Sequence, residues 1–86
     1  MTSYTITKHA AEEMEERGIT AEVLDQVMQS PGQVVTERDD LVAYQAVLPF
    51  ADCGNMLVRA IVDPSNPKRV ITVYRTSKIA KYWRAS

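Results

Sequence analysis

The chain has 86 residues, of which 45% are hydrophobic and 24% charged, with a single cysteine and a net charge of −1. This composition excludes a disordered chain and predicts one small globular domain over residues 1–86. No apolar run reaches the roughly 20 residues of a membrane span, and the N-terminus lacks a secretory signal. Cys53 alone can form neither an internal disulfide nor a cysteine zinc site. We therefore expect a cytoplasmic protein in which Cys53 is a reduced, partly buried thiol.

The charges are unevenly distributed along the chain. Residues 1–40 carry three cations and nine acids, a net charge of −6, whereas residues 41–86 carry seven cations and two acids, a net charge of +5. This asymmetry allows a basic face on a nearly neutral molecule, and a polyanion responds to that local field. Because the total charge is slightly negative, charge alone predicts only weak non-specific binding to nucleic acid.

The first half of the chain predicts two helices. Thr7 can cap a helix over residues 8–17, and Gly18 ends it because glycine readily takes the left-handed conformation. Thr20 can cap a second helix, which ends at Ser30-Pro31-Gly32. The apolar stripe of this second helix consists of Val23, Leu24, Val27 and Met28.

The second half of the chain predicts four strands. They are expected over residues 33–37, 41–48, 56–63 and 69–76, and Pro49 is expected to end the second. Short connections between consecutive strands favour antiparallel pairing. We therefore predict an α+β domain with two N-terminal helices packed on one face of a four-stranded antiparallel sheet and the other face free. Residues 4–6 are a candidate for a short additional edge strand.

Alternation along the strands predicts which side chains share a face. The more apolar set of the third strand consists of Met56, Val58, Ala60 and Val62. Arg59 therefore belongs to the open face. Tyr44 belongs to the core, because it shares a side with Val42, Ala46 and Leu48. Strict alternation in the last strand separates Val70, Thr72, Tyr74 and Thr76 from Arg69, Ile71, Val73 and Arg75.

The last strand runs into a short basic and aromatic segment. Hydroxyls and cations occur together here, as on phosphate-binding surfaces. The residues concerned are Thr72, Tyr74, Arg75, Lys78 and Lys81. The other interpretation, a last strand followed by a solvated basic tail, stays open. Trp83 is expected to be a hydrophobic plug on the sheet.

His9 is the only histidine, and histidine is the side chain whose ordinary titration range suits proton transfer near neutral pH. It lies in the first turn of the predicted helix, four residues before Glu13, so the two side chains can pair along the helix. His9 is either a solvated residue on a polar helix face or a general acid or base. No second histidine is present and carboxylates on a helix are a weak ligand signal, so no metal or cofactor is predicted.

Several short segments resemble the bacterial domain of unknown function 4258. They occur in the expected order over nearly the whole chain: Lys8-His9-Ala10, Met14, Glu16-Arg17-Gly18-Ile19-Thr20, Val70-Ile71-Thr72-Val73-Tyr74 and Lys81-Tyr82-Trp83. More distantly, Arg17-Gly18-Ile19-Thr20 and Ile71-Thr72-Val73-Tyr74-Arg75 are similar to the helix junction and last strand of BrnT-type toxins. Those toxins belong to the RelE-like group of small ribonucleases, in which helices pack on an antiparallel sheet.

The resemblance implies a RelE-like fold and a metal-independent surface that cleaves RNA. The residues it implies for that surface are His9, Arg17, Thr72, Tyr74 and Arg75. His9 would act as base or acid and Tyr74 as the complementary proton donor or as a residue that orients the substrate, with Arg17, Arg59 and Arg75 binding phosphate charge. Two departures remove cations that would stabilise the phosphate: Glu13 stands where the family is often basic, and Tyr74 stands where BrnT-type proteins tend to have arginine.

Two functions are therefore expected from the sequence. The first is RNA cleavage or ribosome-associated RNA binding by a toxin-like protein. The alternative is a non-catalytic module whose basic C-terminal half, including Lys78 and Lys81, binds RNA or an acidic partner protein. An antitoxin-like partner fits either, because a free sheet edge can accept an added strand.

Overall fold

The computed structural model describes residues 4–84 and shows an α+β domain, as predicted. Its elements in chain order are β1 (Tyr4–Ile6), α1 (Lys8–Arg17), α2 (Ala21–Gln29), β2 (Gln33–Thr36), β3 (Val42–Phe50), β4 (Gly54–Asp63), β5 (Lys68–Thr76) and α3 (Ile79–Tyr82). A short 3-10 turn over Arg38–Asp40 connects β2 to β3. None of the helices within residues 4–84 is long and apolar enough to cross a membrane.

The ends of α1 and α2 follow the predicted capping. The Thr7 hydroxyl accepts a hydrogen bond from the Ala10 amide at 3.2 Å, and the Thr20 hydroxyl accepts one from the Val23 amide at 3.1 Å. Gly18 ends α1 with a φ of 66°, a left-handed conformation that costs glycine little. Of the predicted apolar stripe, Leu24, Val27 and Met28 are buried and Val23 packs against them.

The sheet has five strands in the order β1-β5-β4-β3-β2. Strands β2 to β5 are antiparallel neighbours, as predicted, but β1 adds a parallel pair with β5, so the predicted four-stranded antiparallel sheet was incomplete. The pair joins Tyr4–Ile6 to Lys68–Val70. Tyr4 is buried, and its hydroxyl donates to Asp25 of α2 at 3.1 Å. The sequence indicated a short strand at residues 4–6 but could not indicate which strand it pairs with or in which direction.

Strand β3 continues past Pro49, which was predicted to end it. Pro49 pairs with Asn55, and the strand reaches Phe50. Strand β2 pairs only with Val42–Gln45, so β3 has a strand neighbour on one side only at Pro49. A proline without an amide hydrogen is tolerated at such an edge position.

The core lies between α1, α2 and one face of the sheet. Val58, Ala60 and Val62 contribute from β4 as predicted, and Tyr44 packs against them. Strand β5 departs from strict alternation, because Val70 and Val73 are both completely buried in this core. The β4–β5 register shifts between Ile61 and Val62, which pair with Thr72 and Val70 respectively. This bulge places one extra residue in β5 and changes the side to which the following side chains point.

The second face of the sheet is partly covered, although the sequence predicted it to be free. Gln45 is completely buried and Arg59 is 4% exposed, because α3 folds back over them. The Tyr82 ring lies 4.5 Å from the Arg59 guanidinium carbon. Trp83 remains 38% exposed and so plugs the sheet only partly. A four-residue helix has too short a periodicity to be recognised in a sequence.

Cys53 is exposed in the turn between β3 and β4, so the expectation of a partly buried thiol was wrong. Its sulfur lies 3.4 Å from the carboxylate of Asp52 and 3.6 Å from the guanidinium of Arg75. Because the hairpin turn lies outside the core, the thiol has polar neighbours from the turn itself and from β5.

Candidate functional site

Three polar side chains of α1 meet at Glu13. His9 Nε2 lies 3.5 Å from one carboxylate oxygen of Glu13, and Arg17 Nη2 lies 3.7 Å from the other. Successive spacings of four residues place all three side chains on one side of the helix. The predicted pairing of His9 with Glu13 is therefore confirmed.

Glu13 also connects α1 to the outer edge of β5. Its carboxylate accepts hydrogen bonds from the Thr72 hydroxyl and, at 3.2 Å, from the Val73 amide. Strand β1 pairs with β5 only as far as Val70. Beyond that point β5 has no neighbouring strand on this side. The Glu13 carboxylate therefore accepts the hydrogen bond from the Val73 amide that a neighbouring strand would otherwise accept. We call His9, Glu13, Arg17 and Thr72 the Glu13 cluster.

Exposure differs sharply within the Glu13 cluster. The side chain of Glu13 is 16% exposed, whereas those of His9 and Arg17 are 71% and 42% exposed. Burial raises the pKa of Glu13, but hydrogen bonds from Thr72 and Val73 and the charges of His9 and Arg17 outweigh it, so the net shift of the pKa is downward. The cluster is thus a carboxylate held ionised behind an accessible imidazole and an accessible guanidinium.

A second cluster lies under α3 on the other face of the sheet. Arg59 Nε donates to Gln45 Oε1 at 2.7 Å, Nη1 donates to the Tyr74 hydroxyl at 2.5 Å, and Nη2 donates to Glu37 Oε2 at 2.9 Å. The ring of Tyr82 covers the guanidinium and meets Tyr74 edge to face at 6.1 Å. We call Arg59, Gln45, Glu37, Tyr74 and Tyr82 the Arg59 cluster.

Two glutamines attach the C-terminal residues to the Arg59 cluster. Gln45 Nε2 donates to Gln33 Oε1 at 2.8 Å and to the Tyr82 carbonyl at 3.2 Å. Gln33 in turn donates to the Arg84 carbonyl at 2.6 Å and accepts from the Arg84 amide at 3.0 Å. These bonds and the Tyr82 ring hold residues 78–84, called here the C-terminal segment, against β2 and β3.

The cations of the predicted phosphate surface fall into two groups. Arg75 is paired with Asp52 through two contacts of 3.1 and 3.2 Å, and its guanidinium carbon lies 4.5 Å from the Phe50 ring. Lys78 and Lys81 are exposed on the C-terminal segment. Arg75 is thus already neutralised by a carboxylate, whereas the two lysines face solvent.

The structure distributes the predicted site residues over separate clusters. His9, Arg17 and Thr72 belong to the Glu13 cluster, whereas Arg59 and Tyr74 belong to the Arg59 cluster. That His9 and Tyr74 act on one phosphate stays a prediction. Within residues 4–84, no three side chains of His, Cys, Asp or Glu come close enough together to hold a metal ion.

Sequence reasoning missed several residues that organise these clusters. For Glu13 only the pairing with His9 was predicted, and its contacts with Arg17 and Thr72 were not. Gln45 carried a usable signal, because it is the only amide within the apolar run 41–48. No sequence signal indicated the roles of Gln33 and Glu37, because their partners Arg84 and Arg59 are distant in sequence.

Fold and clusters together define a small α+β protein with helices on one face of a mixed sheet and a polar network beneath a short helix on the other. The model of the family described as Domain of unknown function (DUF4258) matches residues 6–75. The chain therefore belongs to this family, as its short sequence segments indicated. Searches of curated proteins and of solved structures gave no match.

Proposed function

We propose that this protein binds RNA and cleaves it without a metal ion, as a toxin-like member of the RelE-like group. The observation that supports the proposal is the pairing of an exposed imidazole, His9, with the shielded carboxylate of Glu13, beside Arg17 on the same helix. A carboxylate behind a histidine orients the ring and stabilises the imidazolium that forms during proton transfer. A guanidinium beside them supplies charge for a phosphate.

In the proposed reaction the RNA supplies its own nucleophile. His9 takes the proton of a 2′-hydroxyl, and the 2′-oxygen forms a bond to the adjacent phosphorus while the bond to the 5′-oxygen breaks. The products are a 2′,3′-cyclic phosphate and a 5′-hydroxyl. Arg17 balances the negative charge that accumulates on the phosphate oxygens. Glu13 stays ionised near neutral pH because the net shift of its pKa is downward.

Tyr74 is the proposed proton donor to the leaving 5′-oxygen. Burial and the neighbouring Tyr82 raise the pKa of Tyr74, and although Arg59 lowers it, the net shift of the pKa is upward. The phenol therefore remains protonated near neutral pH. Its oxygen accepts from Arg59, which leaves its own proton for transfer.

The proposed RNA-binding surface extends from the Glu13 cluster towards the C-terminal segment. Thr72 and Arg75 lie on β5, and Lys78 and Lys81 follow it. The exposed lysines contact backbone phosphates without reading sequence. The proposed ligands include RNA associated with the ribosome.

The alternative is a non-catalytic module that binds RNA or an acidic partner protein through the same basic half. One observation favours it: Arg59 and Arg75 are each paired with a carboxylate of the protein, so neither guanidinium is free to balance charge on a reacting phosphate in this structure. An antitoxin-like partner would add a strand to β2, whose outer edge ends the sheet and whose Val34 is 51% exposed.

An RNA-cleavage assay in chelator separates these functions. We expect the purified protein to produce 2′,3′-cyclic phosphate ends, and we expect His9→Ala to lower the rate by about 100-fold or more. Glu13→Gln should also lower the rate, because it removes the charge behind the imidazole. Lys8→Ala is the matched control, since it changes the neighbouring exposed residue. RNA that stays intact with the parent protein, but is retained in a binding assay, would favour the non-catalytic module.

A further inference from the structure

Arg59 has the hydrogen-bonding pattern of an anion-binding site, and the anion that occupies it is a carboxylate of the same chain. Its Nη2 contacts the Glu37 carboxylate at 2.9 Å, and its other donors contact the neutral side chains of Gln45 and Tyr74. Guanidinium groups bind carboxylates and phosphates with the same planar fork of donors. A phosphate oxygen could therefore replace the carboxylate oxygen of Glu37 without any change in the arginine.

Glu37 is much less enclosed than the arginine it contacts. Its side chain is 28% exposed, whereas that of Arg59 is 5% exposed. Glu37 precedes a tight turn in which Asp39 and Asp40 have φ values of 58° and 63°. These left-handed conformations are uncommon outside glycine, and aspartate is among the residues that tolerate them. The carboxylate thus reaches Arg59 from a turn at the rim and not from the core.

The C-terminal segment covers the rest of the arginine through few contacts. Helix α3 has four residues, none of them buried, and its N-cap residue Lys78 makes no side-chain capping bond. The contacts that hold the segment include the Tyr82 ring over Arg59 and against Tyr74, the Trp83 ring beside Gly32, the Gln45 bond to Tyr82 and the two Gln33 bonds to Arg84. Elements with so little buried surface open more easily than the core of a domain.

We propose that Arg59, Gln45 and Tyr74 form a binding site for an RNA phosphate that is closed in this structure. The Glu37 carboxylate stands in the place of the phosphate, and the C-terminal segment is the cover. The identity of the ligand as RNA rests on the proposed function, whereas the anion site itself requires no cleavage activity.

The cover also carries the exposed cations that would attract RNA. Lys78 and Lys81 lie on the C-terminal segment, and Lys81 Nζ is 5.3 Å from the centre of the Tyr82 ring that shields Arg59. A phosphate chain drawn to these lysines arrives next to the ring that must move. Because the ligand binds only the open form, the apparent affinity is reduced by the fraction of molecules that are open. Opening the site by mutation should therefore strengthen binding.

Glu37→Gln tests the role of the carboxylate. Inorganic pyrophosphate is titrated while the Nε–H resonance of Arg59 is followed by NMR, and a labelled single-stranded RNA is titrated in parallel. Glu15→Gln is the control, because it removes the same charge at an exposed position of α1. We expect Glu37→Gln to bind both probes about tenfold more tightly than Glu15→Gln. Replacing Arg59 by glutamine in the Glu37→Gln background should abolish this gain.

Gln33→Ala tests the cover without changing any charge. We expect faster amide exchange at residues 79–83 and tighter binding of both probes, and this variant carries the test if Glu37→Gln does not fold. The proposed site would be overturned if Glu37→Gln and Glu15→Gln bound pyrophosphate with equal affinity. It would also be overturned if Gln33→Ala bound pyrophosphate no more tightly than the parent. A gain for pyrophosphate without one for RNA would overturn the assignment to RNA. Pyrophosphate has no 2′-hydroxyl, so its binding tests the anion site independently of cleavage. If the parent does not cleave RNA, that result counts against the proposed function and not against the anion site.

Discussion

Arg59 of β4 and Gln45 of β3 are paired residues on neighbouring strands. The guanidinium Nε donates a buried hydrogen bond of 2.7 Å to the side-chain oxygen Oε1 of Gln45. The amide nitrogen of the same glutamine donates to Gln33 and to the carbonyl of Tyr82. One buried glutamine thus connects the arginine, the edge strand β2 and the C-terminal segment. Stability and the proposed closure of the phosphate site therefore depend on the same side chain.

Gln45→Leu should destabilise the protein by about 2–3 kcal/mol, because it leaves Arg59 Nε and the Tyr82 carbonyl without a partner. The free energy of unfolding is measured by urea denaturation. Gln26→Leu is the matched control, since Gln26 is exposed on α2. Equal stability of the two variants would show that the buried network contributes no more than an apolar contact.

The helices and the antiparallel strands could be predicted because their signals are local. The capping bonds of the helices join residues within one helical turn, as at Thr7, Gly18 and Thr20. In β4, the alternation of side chains separated the core residues from Arg59. The bulge in β5 could not be predicted, because strict alternation assigns Val70 and Val73 to opposite faces. Burial of both is decided by pairing with β4 and by packing under α1 and α2.

The candidate site was predicted only in part, for the same physical reason. The pairing of His9 with Glu13 follows from helical spacing alone, but the contact of Glu13 with Thr72 joins residues 59 positions apart. Arg59 was assigned correctly to the face away from α1 and α2. Its burial depends on four residues of α3 that carry no periodic signal.

Gly32→Ala should displace Trp83 from its place beside β2. A Cβ atom at residue 32 would lie 2.8 Å from the indole ring, closer than packed carbon atoms allow. Because Trp83 is the only tryptophan, its emission should shift to longer wavelength as the ring becomes more exposed. Ser30→Ala is a nearby control. Identical spectra for Gly32→Ala and the parent would place the ring elsewhere.

The contribution of Glu13 to stability should disappear at low pH. Its pKa is lowered in the folded protein, so the carboxylate stabilises the fold fully above the ordinary value of 4.5, and this contribution is lost as the pH falls through the folded value. The difference in unfolding free energy between the parent and Glu13→Gln should therefore be largest near pH 7 and shrink below pH 4.5. Other carboxylates are present in both proteins and cancel in the difference. A difference independent of pH would mean that the charge of Glu13 does not stabilise the contact with β5.

Removing Lys78 and Lys81 together should weaken RNA binding while leaving the melting temperature nearly unchanged. Both side chains are exposed on the C-terminal segment, and exposed cations contribute little to folding. Each phosphate contact that is lost should reduce the slope of log K against log salt by about one. Affinity for a labelled single-stranded RNA is measured at several salt concentrations.

A double variant with Arg38→Ala and Arg69→Ala is the charge-matched control, because it removes two exposed cations outside the C-terminal segment. If the contacts are local, the control keeps the salt slope of the parent and only Lys78→Ala with Lys81→Ala reduces it. If both double variants lose the same affinity, net charge and not a defined surface governs binding. If neither changes the affinity or the slope, the C-terminal lysines do not contact RNA, and an acidic partner protein becomes the better ligand for this face.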